Sequence, residues 1–522
     1  MKTKAKTSNV FKLSAVCAGA LILAALLFPT KLSRVTHRIR AFLGVNFGAL
    51  YLLLASVIVG VCLYCILSPF GKIRLGDPDS RPEHNTITWL AMLFSAGMGI
   101  GLVFYGAAEP LSHFAVSAPR AELYSAEALA DAMQYSFLHY GINAWAIYAI
   151  VALALAYFHF RKKERFLISV TLKPLIGSRT DGPIGTVLDS LTIIATIVGV
   201  ATTLGLGAAQ INGGLNFLFG VPETHTSAIV IIFVASVLYI WSAVSGIDKG
   251  ISTISNINVI IAVILMVTLA AIGPTVRIFN FTTESIGAYL NSFLELSFRT
   301  EANNPQGQAW MQQWTIMYWS WWISWSPFVG IFIARISKGR TIREFMTFVL
   351  LLPTLFSFLW FGVFGTLSTT AVSANHALAR LPAEKMLFGV LEGIPLGKIL
   401  SVIAIILVFS FFITSADSAT VVLAMESENG ALKPRTLTKL VWGVFLSLIA
   451  VALLLAGGLE ALQDVMIIFA FPFALLLIFM MVALLRELHY EQKEMGLYIK
   501  PKKHPTRDEP FRSYEEDSSE EA

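Results

Sequence analysis

Six of the chain's 11 tryptophans fall in one stretch, at Trp310, Trp314, Trp319, Trp321, Trp322 and Trp325. No charged residue occurs from Met311 to Ala334, so a ligand bound here is held by rings, hydroxyls and backbone. The face of an aromatic ring attracts a cation by ~0.5 to 2 kcal/mol per good contact, which suits a quaternary ammonium group. Tyr318, Trp322 and Trp325 recur at four and three residues and share a helix face. Plain aromatic packing is the competing account. A second group in the run YGINAWAIY, Tyr140, Trp145 and Tyr148, supplies partner rings, and two such groups can close a cage.

A cage of this kind has no donors for an anionic end of a solute. The run Ser95, Ala96, Gly97, Met98, Gly99, Ile100, Gly101 can provide them. Each glycine in a helix interior costs about 1 kcal/mol relative to Ala, so this segment is cheap to unwind and its backbone N–H groups become available. Close helix packing through Gly97 and Gly101 is the alternative reading. A third constellation is Phe411, Phe412, Ile413, Thr414, Ser415, Ala416, Asp417. The hydroxyls of Thr414 and Ser415, joined by freed carbonyls, would make an all-oxygen shell for a small hard cation, although such hydroxyls also bond back to their own helix. Asp417 is a carboxylate at membrane depth and therefore a coupling or gating candidate, with a structural tie between helices as the equal alternative. Thr196 and Thr202 are further hydroxyl candidates.

The elements that position these residues are apolar helices. With 56% hydrophobic residues, 14% charged residues and a mean hydropathy of +0.70, the chain is too apolar for a soluble globular protein. Apolar runs of ~17 to 25 residues predict an all-α polytopic membrane protein of about twelve transmembrane helices. They lie near 13–28, 47–67, 87–108, 140–158, 188–209, 228–244, 254–272, 311–334, 345–367, 399–421, 440–455 and 465–485. Most of the 38 Lys and Arg residues fall in the loops of one side, which places both termini in the cytoplasm. Lys31, Arg34, Arg38 and Arg40 in the first external loop are the exception. The net charge of +5 belongs to those cytoplasmic loops and implies no nucleic acid partner. Cys17, Cys62 and Cys65 all sit in apolar spans, which argues against a disulfide framework or a zinc site.

Span three is interrupted by glycines and span eight by Pro327, which lacks the N–H that the Ile323 carbonyl needs. Interrupted helices in corresponding positions of two halves point to the binding site of an inverted-repeat transporter. The expected organisation is a cytoplasmic tail (1–12), two prefix helices (13–85), a first half (86–280), an external interfacial helix (281–310), a second half (311–485) and a cytoplasmic tail (486–522). The interfacial helix is read from the amphipathic spacing of 285–298, and Trp310 and Trp314 are assigned to the aromatic belt at the membrane surface.

Taken together, GMGIGLVFYGAAEP, WTIMYWSWWISWSPFVGIFIARISKGRTIREF, FFITSADS and WAIY resemble the betaine/choline/carnitine transporter family, most clearly over 47–425. The resemblance implies twelve helices with a five-plus-five inverted repeat, a homotrimer in the bacterial cell membrane, and no enzymatic activity or cofactor. It places the aromatic box on Tyr140, Trp145, Tyr148 and Trp322, with Trp321 and Trp325 on the permeation path and the backbone of Ala96, Gly97, Met98, Gly99 and Gly101 beside the solute. Tyr140 departs from the tryptophan common there in betaine members. A sodium site is implied at Ser95, Met98, Phe411, Thr414 and Ser415. A second one, at Thr196 and Phe328, is put in doubt by Val200, where a second threonine is expected. Gly101 stands where proton-linked choline members carry an aspartate, which favours a zwitterion and sodium coupling. The expected function is import of glycine betaine or a related onium solute with sodium, by alternating access. Alternatives are a proton-coupled choline, ectoine or proline transporter, or a non-transporting solute sensor.

Overall fold

The computed structural model describes residues 8–97, 99–245 and 248–496. Its described secondary structure is helical, apart from one antiparallel bridge between Arg74 and Thr341. Helices α1 (Asn9–Leu27) and α2 (Pro29–Leu67) come first. The third predicted span is two helices, α3 (Thr86–Gly97) and α4 (Ile100–Ala115), and the fourth is also two, α5 (Ala126–Tyr140) and α6 (Ile142–Ala156). A short α7 (Lys173–Ile176) leads to α8 (Pro183–Phe219), α9 (His225–Ser245) and α10 (Asp248–Ile272). Then follow α11 (Thr275–Phe298), α12 (Pro305–Gln313), α13 (Thr315–Arg335) and α14 (Ile342–Ala374). The chain closes with α15 (Ala383–Glu392), α16 (Gly397–Ser427) and α17 (Thr436–Glu494).

Nine of the described helical segments are long and apolar enough to cross a membrane. The predicted spans that do not qualify are the third and the eighth, the two expected to be interrupted. Spans eleven and twelve appear as one element, α17, broken internally where Gly458 takes φ +68°. Burial separates centre from rim: the apolar windows of α5–α6 and α8 are 94% buried, whereas that of α10 is 22% buried. Large apolar side chains such as Val16, Phe233 and Ile264 face outward on α1, α9 and α10, where hydrocarbon would cover them. At the centre, α13 packs on α6 and α8 packs on α17 and α16, so the tryptophan helix lies in the most enclosed part of the bundle.

Several expectations change. Pro327 does not break its span, because α13 runs through it; the Ser326 hydroxyl donates to the Ile323 carbonyl at 2.7 Å, satisfying the acceptor that proline leaves unmatched. The break instead falls at Trp314, between α12 and α13. An unforeseen break occurs at Gly141, where a Cβ would sit 2.3 Å from the Phe137 carbonyl oxygen. The basic first loop is helix: Lys31, Arg34, Arg38 and Arg40 belong to α2, and Arg40 pairs with Asp464 of α17 at 2.8 Å. Trp310 is buried in the protein and does not face lipid: the segment after α4 lies against it, and its indole N–H donates to the Ser117 carbonyl at 2.9 Å. The amphipathic helix before the tryptophans begins at Thr275, earlier than its pattern shows, and the expected C-terminal tail is helical through Glu494.

Candidate functional site

Three elements converge at the centre. The end of α5 and start of α6 carry Tyr140, Trp145 and Tyr148, with Gly141 turning the chain between them. Helix α13 carries Trp321, Trp322 and Trp325 on its inner side. The start of α4 brings Gly99, Ile100, Gly101 and Leu102. These residues, with Ala144, Thr203, Val329 and Ser357, enclose a cavity of about 50 Å³. That is room for a few water molecules and less than a trimethylammonium head needs, so entry of such a solute requires the rings to move apart.

The rings are set by their polar edges. Trp322 donates its indole N–H to the His139 carbonyl at 2.8 Å, and Trp321 donates to the Thr203 hydroxyl at 2.9 Å. Tyr140 donates to the Gly101 carbonyl at 3.1 Å, tying the cage to the start of α4. With these three groups committed, the faces and edges of those rings remain to line the space, while the Trp325 indole N–H has no hydrogen-bond partner among the described residues. Trp322 stacks on Trp321 with centroids 5.0 Å apart, and meets Tyr140 at 5.3 Å and Tyr148 at 6.1 Å edge-on. Trp145 meets Tyr148 edge-on at 5.4 Å. The four residues of the predicted aromatic box are therefore brought together, and Trp325 lines the same cavity beside Phe328.

Beside the rings, the helical backbone is interrupted. Helix α3 ends with Ser95, Ala96 and Gly97, α4 starts at Ile100, and Gly99 between them is extended. The first N–H groups of a helix have no intrahelical acceptor and carry partial positive charge. The first residues of α4 border the cavity; the Leu102 N–H donates to the Gly99 carbonyl at 3.2 Å, and the N–H groups of Ile100 and Gly101 are the donors a carboxylate at this helix start would use. At Gly101 a Cβ would come within 2.8 Å of the Trp321 ring, so this position admits no side chain unless Trp321 shifts. Met98, expected in both the solute and sodium sites, lies outside the described residues.

The hydroxyl group of residues sits on α16. Thr414 is buried; its hydroxyl donates to the Ser410 carbonyl at 3.1 Å, lies 3.4 Å from the Phe411 carbonyl oxygen, and receives the Asn258 amide of α10 at 3.4 Å. Ser415 is half-buried on the next position. Oxygen donors of this kind suit a hard cation. Asp417 is buried and accepts from Ser242 of α9 at 3.4 Å, so it has a tie to a neighbouring helix. On α8, the Thr196 hydroxyl is buried with no hydrogen-bond partner among the described residues, and Val200 one turn on is fully buried. Thr202 is committed to the Val198 and Leu462 carbonyls at 2.9 and 3.1 Å.

Sequence reasoning missed a group directly behind the rings. Glu109 and His113 of α4 and His139 of α5 are fully buried, and Glu109 accepts a hydrogen bond from Tyr318 of α13. The available signal was a carboxylate and two imidazoles within apolar spans, residues that are costly there without a purpose. The uncharged stretch of α13 thus packs against ionisable side chains of α4 and α5.

The fold and this cavity define a class: a multi-pass, all-helical membrane protein with an aromatic cavity at broken helices, an arrangement suited to carrying a small solute across a membrane. The sequence model of the BCCT, betaine/carnitine/choline family transporter, matches residues 9–493. Over 490 residues the chain is 49% identical to the glycine betaine transporter OpuD of Bacillus subtilis, covering 94% of this chain and 96% of that protein. It is 41% identical over 506 residues to an ectoine/hydroxyectoine transporter of Virgibacillus pantothenticus, covering 95% and 99%. A glycine betaine/proline/choline transporter of Vibrio parahaemolyticus is 38% identical over 507 residues, covering 93% and 91%. The chain belongs to the betaine/carnitine/choline transporter family. It is a transporter and not an enzyme.

Proposed function

We propose that the protein imports glycine betaine or a closely related onium solute, coupled to sodium, by alternating access around the Trp322 cavity. The observation that carries this reading is that four rings and the start of α4 line one cavity together. The rings suit a trimethylammonium group and the helix start suits its carboxylate, so a zwitterion spans both. A relative 49% identical over 490 residues is a glycine betaine transporter, which agrees with that chemistry.

Sodium as co-substrate is supported by the oxygen-rich surroundings of Thr414, with Ser95, Met98, Phe411 and Ser415 as the other expected ligands. The unpartnered Thr196 hydroxyl favours a second cation position with Phe328, and Val200 leaves it one ligand short. In this reading spans three to seven and eight to twelve are the inverted halves, both termini are cytoplasmic and the assembly is a homotrimer, as the family resemblance implies. The test is uptake of labelled betaine into proteoliposomes under an imposed sodium or proton gradient, with choline, ectoine and proline as competitors. Accumulation that follows sodium and is displaced best by onium zwitterions is the expected result; accumulation driven by protons alone would overturn the coupling. Ectoine is the second reading, because an ectoine/hydroxyectoine transporter is 41% identical, and the competition panel separates it.

A further inference from the structure

The buried cluster behind the cavity is built around one carboxylate. Glu109 Oε1 lies 2.6 Å from His139 Nδ1 and 3.3 Å from His113 Nε2, while Oε2 accepts the Tyr318 hydroxyl. The far nitrogen of His139 is 2.9 Å from the Thr315 hydroxyl. The Tyr318 hydroxyl donates to Glu109, the donor and acceptor roles of the two imidazoles are set by their tautomers, and an ionised Glu109 is the form that can accept from all three groups together.

Two connections run from this cluster to the cage. Tyr318 stacks on Trp322 at 5.7 Å and on Trp321 at 6.1 Å, and meets Tyr140 edge-on at 5.3 Å, so one ring bonded to Glu109 touches three cavity residues. His139, bonded to Glu109 through its side chain, accepts the Trp322 indole N–H through its backbone, and its ring stacks on Tyr318 at 4.5 Å. A carboxylate in a low-dielectric interior acts over such distances, and a phenol donating to an anion becomes more electron-rich.

We propose that Glu109 is the counter-charge of the aromatic cage, a positioning residue one ring behind it that sets the preference for a positively charged head over a neutral group of the same shape. The cage then has two parts: rings that fit the head by shape and ring potential, and a buried anion that rewards its charge. A solute that enters supplies the positive charge that the cluster faces across Tyr318. This rests on the onium reading of the cavity, and it goes beyond it by naming what discriminates charge.

The test compares glycine betaine with 3,3-dimethylbutanoate, in which carbon replaces the ammonium nitrogen, by tryptophan fluorescence on the purified full-length protein. Wild type is expected to bind betaine in clear preference. Glu109→Gln is expected to lose about tenfold in betaine affinity, the scale of one good cation–π contact, with the carbon isostere unchanged within about twofold. Glu109→Asp, which keeps the charge, is expected to hold a ratio closer to wild type. Tyr318→Phe, which keeps the stacked ring and removes the link, is expected to lower the ratio, and it carries the test if the Gln variant does not fold. Parallel loss of both ligands, or an unchanged ratio in the variants, overturns the role of Glu109 and reduces the cluster to a structural tie. Failure of wild type to bind any onium solute is a different outcome, which overturns the onium reading itself.

Discussion

The cage around Trp322 and the hydroxyl patch of α16 use their polar atoms in opposite ways. In the cage, the N–H groups of Trp321 and Trp322 and the hydroxyl of Tyr140 are each committed to a protein partner, Thr203, His139 and Gly101 respectively, which leaves ring surface to line the space. On α16, Thr414 bonds to its own helix and to Asn258, and its oxygen is the atom that would meet an ion. A surface of rings is thus preset by anchoring their polar edges, whereas a cation held at α16, as proposed, would draw on hydroxyls that must exchange partners when it arrives. The first arrangement is preset by packing, whereas the second is shared with ordinary helix chemistry.

Substitutions should separate the two regions. Trp322→Leu is expected to reduce betaine affinity by about 30-fold, the equivalent of ~2 kcal/mol of cation–π contact, with insertion and folding retained. Isotope uptake and gel filtration check this, and unchanged uptake kinetics would remove the cage from the account. Thr414→Val is expected to raise the sodium concentration for half-maximal uptake about tenfold, on the basis of ~1.5 kcal/mol for one lost bond to an ion. Betaine affinity at saturating sodium should stay near wild type; a loss there instead would merge the two regions. Gly101→Ala drives a methyl group against the Trp321 ring and should weaken betaine by about fivefold without altering sodium dependence. Thr203→Val removes the partner of the Trp321 N–H and is expected to cost about 1 kcal/mol, a several-fold change in solute affinity measured by fluorescence titration.

Helix breakers show where local reading succeeds and where it does not. Three glycines from Gly97 to Gly101 mark a real interruption, because glycine weakens a helix whatever surrounds it. Pro327 marks none, because the hydroxyl of the adjacent Ser326 satisfies the Ile323 carbonyl that proline strands. Gly141 has no local feature that distinguishes it from other helix glycines, yet the close approach of the Phe137 carbonyl requires it. The same contrast holds for Trp310 and Trp322, identical side chains in one stretch: one is buried under the segment after α4 and the other lines the cavity.

The sequence by itself determined the helical membrane class, the aromatic and glycine-rich stretches that meet at the centre, and the family, since these follow from composition, periodicity and residue type. Only the tertiary structure decided that Tyr140, Trp145, Tyr148 and Trp322 share one cavity with the start of α4. It also decided that Glu109, far from Tyr318 in the chain, stands behind that cavity. The physical reason is that side-chain direction and hydrogen-bond partner are set by neighbours from other helices, and no spacing along one helix encodes them.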